Sequence, residues 1–155
     1  MAKWHSADWD GLHSGGACPI CKDGKPRGIL LDLSAVSYLT STADAPMRGY
    51  CCLVFKRHVV ELDELSEDEG RLLMRDIGRV TAALRRVTDC VKLNYEIHGN
   101  TIPHLHVHLF PRYRGDPFED GPINPRSITT SPYQGSEYAE FCAELCSLVA
   151  QNQPD

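Results

Sequence analysis

The 155-residue chain has no run of about 18 apolar residues, so no segment of it reads as a membrane-spanning helix. Its opening stretch, MAKWHSADWD, lacks an apolar h-region, which argues against a secretory signal there and leads us to expect a cytoplasmic protein. Basic charge is not in excess. Sixteen Lys and Arg against 21 Asp and Glu give a net charge of −5, without the basic stripe of a general nucleic-acid binder. Neither nucleic acid nor a membrane is therefore an expected partner, although a local cationic pocket for a phosphate remains compatible with the composition. There is no internal repeat and no low-complexity segment, and the length suits one domain with a core of its own.

Cysteine is not scarce. Seven are present, at 18, 21, 51, 52, 90, 142 and 146. An odd set in a reducing compartment points to a metal site or buried thiols rather than a disulfide framework. Cys18 and Cys21 stand in CPIC, and two thiolates at this spacing supply half of a tetrahedral metal site. A redox role needs a βαβ context that is missing here. Cys51 and Cys52 are adjacent in a strand and must face opposite sides, so they suit one metal poorly. Cys142 and Cys146, four apart on a helix, read as small core residues.

Residues 1–28 lack periodicity and read as an irregular arm whose structured element is CPIC. Two short strands follow, near residues 29–32 and 36–40, and the β-branched and aromatic YCCLVFK reads as a buried third. Ser66 precedes Glu69 by the capping-box spacing, and Leu72, Leu73, Ile77, Val80, Ala83, Leu84 and Val87 recur at helical period, predicting a helix to about Thr88. VKLNYEIHG and HLHVHLFP read as two strands joined at Gly99 and Asn100. RGDPFEDGPINPRS is loop, and a last helix is expected over about residues 136–150. Three strands, a helix, two strands and a helix imply an α+β domain, an antiparallel sheet with helices on one side. We divide the chain into an arm (1–28), a core (29–116), and a loop with the C-terminal helix of the same domain (117–155).

The most informative stretch is IPHLHVHLFPR. Side chains at alternate positions of a strand share a face, so His104, His106 and His108 line one surface about 7 Å apart. Leu105, Val107 and Leu109 point the other way, into the core. Imidazole acts as nucleophile, general acid or base, or metal ligand near neutral pH. Three readings compete: unreactive histidines, a metal-binding His-x-His pair, and a catalytic cluster acting on a phosphate.

HLHVHLF fits the signature His–φ–His–φ–His–φ–φ, with φ apolar. With its flanks, NYEIHGNTIPHLHVHLFPR and the earlier CCLVFKRHVVELDELSEDE, it resembles the histidine-triad superfamily, closest to its fragile-histidine-triad branch. The resemblance covers roughly residues 18–116. It implies a five-stranded antiparallel sheet with a long helix and a C-terminal helix packed on it, and a homodimer whose sheets continue across the two-fold. It also implies a nucleotidyl hydrolase or transferase acting at an α-phosphate. In that reading His106 attacks phosphorus, His108 assists the leaving group, and His104 orients its neighbours or serves a structural metal. Asn100 and Thr101 match the pair that hydrogen-bonds the phosphate. Zinc-containing relatives, including galactose-1-phosphate uridylyltransferase, complete a CxxC site with two histidines, which here implies structural zinc on Cys18, Cys21, His58 and His104.

Departures from the family pattern stand beside the matches. The acidic residue that holds ribose in the family aligns with Thr42, with Asp44 two residues on, and the usual histidine before the long strand is Tyr50. His98 occupies a position often filled by a small residue. Arg112 and Arg114 follow the triad, where cations either steer polyphosphates or are merely solvated. The expected function is cleavage of a nucleoside 5′-phosphoryl compound (a dinucleoside polyphosphate, a phosphoramidate or a related adenylate). The alternatives are transfer to phosphate or sugar phosphate, and a non-catalytic zinc-stabilised nucleotide-binding module.

Overall fold

The structure, a computed structural model, describes Trp4 and residues 6–152. The first three residues and last three of the domain division above, and residue 5, lie outside it. Five strands form one antiparallel sheet: β1 (Ile29–Asp32), β2 (Ser37–Thr40), β3 (Cys51–Phe55), β4 (Lys92–Glu96) and β5 (His106–Arg112). Their spatial order is β1-β2-β3-β5-β4, which puts the histidine strand beside the fully buried β3 and leaves β4 at an edge.

The arm is not irregular. It carries two short helices, α1 (Ala7–His13) and α2 (Pro19–Lys22). The local reasons are visible in hindsight. The Ser6 side chain accepts from the Trp9 amide and Asp8 and Asp10 sit in the first turn of α1, while Pro19 starts α2 without the amide it lacks. Neither helix buries a residue of its own, and both are shorter than a helix that holds itself together. Something else must hold them.

The long helix α3 (Glu67–Thr88) begins with the expected capping box, Ser66 and Glu69 bonding reciprocally, and ends at Asp89 in a left-handed conformation. Its apolar stripe packs with α4 (Glu137–Gln151) on one face of the sheet, around Leu39, Leu53, Val80, Leu84, Leu109 and Leu145. Buried between them is a polar knot. Asp76 accepts from the hydroxyls of Ser34 and Ser37 and lies 3.7 Å from Arg79, tying α3 to the β1–β2 turn.

Register decides what the other face carries. Thr40, Cys52, His108 and Glu96 stand in one cross-strand row, and Tyr38, Val54 and His106 in the next. Directly opposed residues project to the same side, so both imidazoles face away from the helices while Leu105, Val107 and Leu109 are buried beneath.

Candidate functional site

His104 precedes β5 and is 1 % exposed, unlike the half-buried His106 and His108. Both of its ring nitrogens are engaged. Nε2–H donates to the Phe55 carbonyl at 2.6 Å, so Nδ1 holds the lone pair. That nitrogen lies 3.5 Å from Cys18 Sγ, 3.6 Å from Cys21 Sγ and 3.3 Å from His58 Nδ1. His58 Nδ1 is 3.3 Å from Cys21 Sγ, and its Nε2–H donates to the His13 carbonyl at 2.9 Å. Four ligand atoms thus lie within 4.8 Å of one another, and each imidazole has its outer nitrogen fixed by a carbonyl. Bonds of about 2.3 Å to sulfur and about 2.0–2.1 Å to nitrogen around a tetrahedral ion place S···N near 3.5 Å and N···N near 3.3 Å. The donor set fits such an ion. Partial desolvation, with Cys18 alongside, pushes the thiol of the largely exposed Cys21 up to about 11, so an arriving cation must displace its proton.

The reactive face begins one pleat further on. His106 donates Nδ1–H to the His104 carbonyl at 2.6 Å, which leaves the Nε2 lone pair as its available atom. Its ring meets that of His108 edge-on, centroids 4.7 Å apart. His108 Nδ1 lies 2.8 Å from the Tyr50 hydroxyl, and the two rings are stacked at 5.9 Å. Burial first, then the neighbouring His106 and His98, lower His108 to about 4, so it is neutral near pH 7. Burial raises the Tyr50 phenol, which therefore stays protonated and able to donate. Tyr50 is aimed by Gly49, whose φ of +80° and near contacts (a Cβ would meet Thr88 Cγ2 at 2.5 Å) leave no room for a side chain.

The other sequence-derived candidates are distributed around this pair. Asn100 and Thr101 are exposed on the loop entering the triad, and the Asn100 carbonyl accepts from Trp4 Nε1 at 3.3 Å. His98 is exposed, bonded to Glu96 at 2.9 Å, with its ring 5.8 Å from His108. Thr42 and Asp44 are exposed and bond to each other, Asp44 N–H to Thr42 Oγ1, and neither lines the two cavities beside the triad. Arg112 neither steers nor is solvated. It is buried, forks onto Asp116 at 2.8 and 2.9 Å and donates to the Gly121 and Phe118 carbonyls, organising the following loop. This bond also holds Asp116 down to about 2.

One cavity, about 430 Å³, lies over the sheet face next to the triad, walled by Pro19, Ile20, Tyr50, Cys52, Val54 and Ile102. A second, about 290 Å³, lies across residues 98–103 and is lined by Trp4, Trp9, His13, His98, Asn100 and Pro103. A larger space of about 550 Å³ surrounds Arg112 and Asp116, and neither His106 nor His108 lines it. Sequence reading did not find the Tyr50–His108 bond or the Trp-lined cavity. The first was detectable only as a departure from a family pattern, and the second joins residues nearly a hundred positions apart.

The profile of the HIT domain family matches residues 31–115. Among solved structures, a histidine triad protein from Bradyrhizobium japonicum is 30 % identical, with a TM-score of 0.66 over 77 % of this chain and 90 % of its own. A zinc-bound histidine triad family protein from Mycobacterium smegmatis is 18 % identical, with a TM-score of 0.62 over 87 % of this chain and 94 % of its own. A HIT-like protein from Methanocaldococcus jannaschii is 27 % identical over 73 residues, 44 % of this chain, and the match spans 57 % of that relative's length. Among the described residues, no helix is long and apolar enough to cross a membrane.

Proposed function

The chain belongs to the HIT domain family, and from that premise we propose that it is a nucleotide-binding hydrolase of the fragile-histidine-triad kind. It cleaves at the α-phosphate of a nucleoside 5′-phosphoryl compound through a covalent nucleotidyl-His106 intermediate. The observation that carries this reading is the 2.6 Å bond from His106 Nδ1–H to the His104 carbonyl. That bond fixes the tautomer and turns a lone pair on Nε2 outward, without a proton having to be removed first.

The chemistry then balances. Nε2 attacks phosphorus and the bond to the leaving group breaks, P–O with its electron pair going to the departing phosphate oxygen, or P–N with a neutral amine departing from an N-protonated phosphoramidate. The ring, still carrying Nδ1–H, becomes a cation held by the carbonyl. Tyr50 donates to His108 Nδ1 and so leaves the proton of neutral His108 on Nε2, from which it bonds to the phosphoryl or leaving-group oxygen. Asn100 and Thr101 add donors there. Water then attacks phosphorus, the P–N bond to His106 breaks, and nucleoside monophosphate leaves with the imidazole neutral again. The 430 Å³ cavity takes the nucleoside, its apolar walls enclosing the base.

Cys18, Cys21, His58 and His104 hold zinc in this proposal, by analogy with the zinc-bound relative and from the clustering of their ligand atoms. A closed four-ligand site has no open position for substrate, so zinc supplies folding energy and no catalytic step. A homodimer is also part of the proposal. Tyr95 is exposed on the edge strand β4 and Val91 and Ile97 just beyond its two ends, where a second sheet can add, and light scattering should return a two-chain mass.

Product chromatography tests the function. Purified protein is given diadenosine tetraphosphate, an adenosine phosphoramidate and adenylyl sulfate, with and without inorganic phosphate, beside His106→Ala. Nucleoside monophosphate made only by the unmodified protein supports the hydrolase. A nucleoside diphosphate that appears only with added phosphate would establish a phosphorylase instead.

A further inference from the structure

Two cavities flank residues 98–103, and only one is needed for the nucleoside whose phosphorus is attacked. An in-line displacement puts the nucleophile and the leaving group on opposite sides of phosphorus, so the leaving group must exit in a direction of its own. The second cavity adjoins the reacting pair through His98, whose ring lies 5.8 Å from that of His108, and through Asn100 on the same loop.

Its lining is unusual for a protein in which aromatics are only 8 % of residues. Both tryptophans of the chain are there. Trp4 and Trp9 stand 6.1 Å apart at 50°, and Trp9 and His13 stand 6.4 Å apart at 51°, so the rings form an open corner rather than a closed stack. Trp4 remains 56 % exposed although its indole N–H is anchored to the Asn100 carbonyl. A large apolar ring held in place yet left uncovered is free to stack on a ligand. His13 and Glu61, also on the wall, bring hydrogen-bonding groups to the rim. At about 290 Å³ the space lies at the small end of ligand pockets, with room for one flat ring system.

Resting on the hydrolase reading above, we infer that Trp4, Trp9 and His13 form a stacking subsite for a heteroaromatic leaving group. The phosphate chain crosses the loop at Asn100 and Thr101, the attacked nucleoside lies on the sheet side, and the ring of the leaving group stacks on the arm. When the P–O bond breaks, the departing group carries the electron pair and leaves from the arm side, while the attacked nucleotide stays on His106. A purely structural use of the tryptophans, pinning the arm to the loop, is met by the Trp4–Asn100 bond alone and does not account for Trp9 facing the cavity.

The test is the ratio of kcat/KM for diadenosine tetraphosphate to that for adenosine 5′-phosphoramidate, whose leaving group has no ring. Any general effect of a variant cancels in this ratio. Trp9→Leu keeps apolar bulk without a π face and should lower the ratio on the order of 10-fold, the size of one lost base stack. Trp9→Phe should restore most of it. A ratio unchanged in Trp9→Leu, with both substrates still turned over, overturns the subsite and leaves the hydrolase reading standing. Turnover of neither substrate by the unmodified protein overturns the hydrolase reading itself, and the subsite with it.

Discussion

Replacing Cys21 by Ser should release the arm while sparing the sheet. Cys21 is exposed, so the substitution opens no buried void, and whatever follows is due to the sulfur. The change removes one of four donor atoms that lie within 4.8 Å of one another. Loss of an outer-shell partner costs about 10- to 100-fold in metal affinity, and loss of a ligand should cost more. Little else secures residues 6–24. Neither short helix buries a residue, Cys18 is the one fully buried apolar side chain in the segment, and each ordered backbone residue costs about 1–2 kcal/mol. Elemental analysis should therefore show about one zinc per chain in the unmodified protein and a small fraction of that in Cys21→Ser. Limited proteolysis should then cut the variant within residues 6–24 and leave the remainder intact. A chelator should reproduce the pattern in the unmodified protein. Full zinc in Cys21→Ser, or an arm that stays protected without metal, would refute the account of what holds the arm.

Three further outcomes follow from the site and its supports. Asp116→Ala strands the buried Arg112 without its fork and should cost about 3–5 kcal/mol in urea unfolding, far more than an exposed ion pair would. His108, held near 4 when folded against an ordinary value of about 6.5, refuses a proton that the unfolded chain accepts. Its stability contribution is thus complete above about pH 6.5 and falls as pH drops toward 4, at no more than about 1.4 kcal/mol per unit. The unfolding free energy of the unmodified protein, minus that of His108→Gln, should shrink by about 1–2 kcal/mol between pH 6.5 and 5, and a constant difference would contradict the assignment. Tyr50→Phe removes the donor to His108 Nδ1 and should lower kcat about 10-fold, the scale of one hydrogen bond, with KM little changed.

Much of the architecture was legible in the residues. The capping box at Ser66 and Glu69 and the apolar period after it located α3, and strict alternation in HLHVHLF gave β5 and its two faces. Ligand chemistry in CPIC named two thiols, the resemblance to zinc-containing relatives added His58 and His104, and the fold brings all four within 4.8 Å. What could not be read was whatever depends on distant closure. The arm looked irregular because α1 and α2 lack an apolar stripe, and their order follows from contacts to His58 and His104. Arg112 looked like a free cation because Asp116, four residues on, becomes its partner only when the loop folds back to offer the Phe118 and Gly121 carbonyls. Tyr50 is separated from His108 by 58 positions and meets it only through the β3–β5 register.

The central claim is that water and the leaving group are never exchanged directly at phosphorus, because His106 stands between them. Hydrolysis of a substrate chiral at the α-phosphorus, with sulfur in place of one oxygen and in isotopically labelled water, reads this from the configuration of the nucleoside product. Two displacements through His106 predict net retention. Net inversion would mean a single attack by water, and the nucleotidyl-His106 intermediate would have to be abandoned.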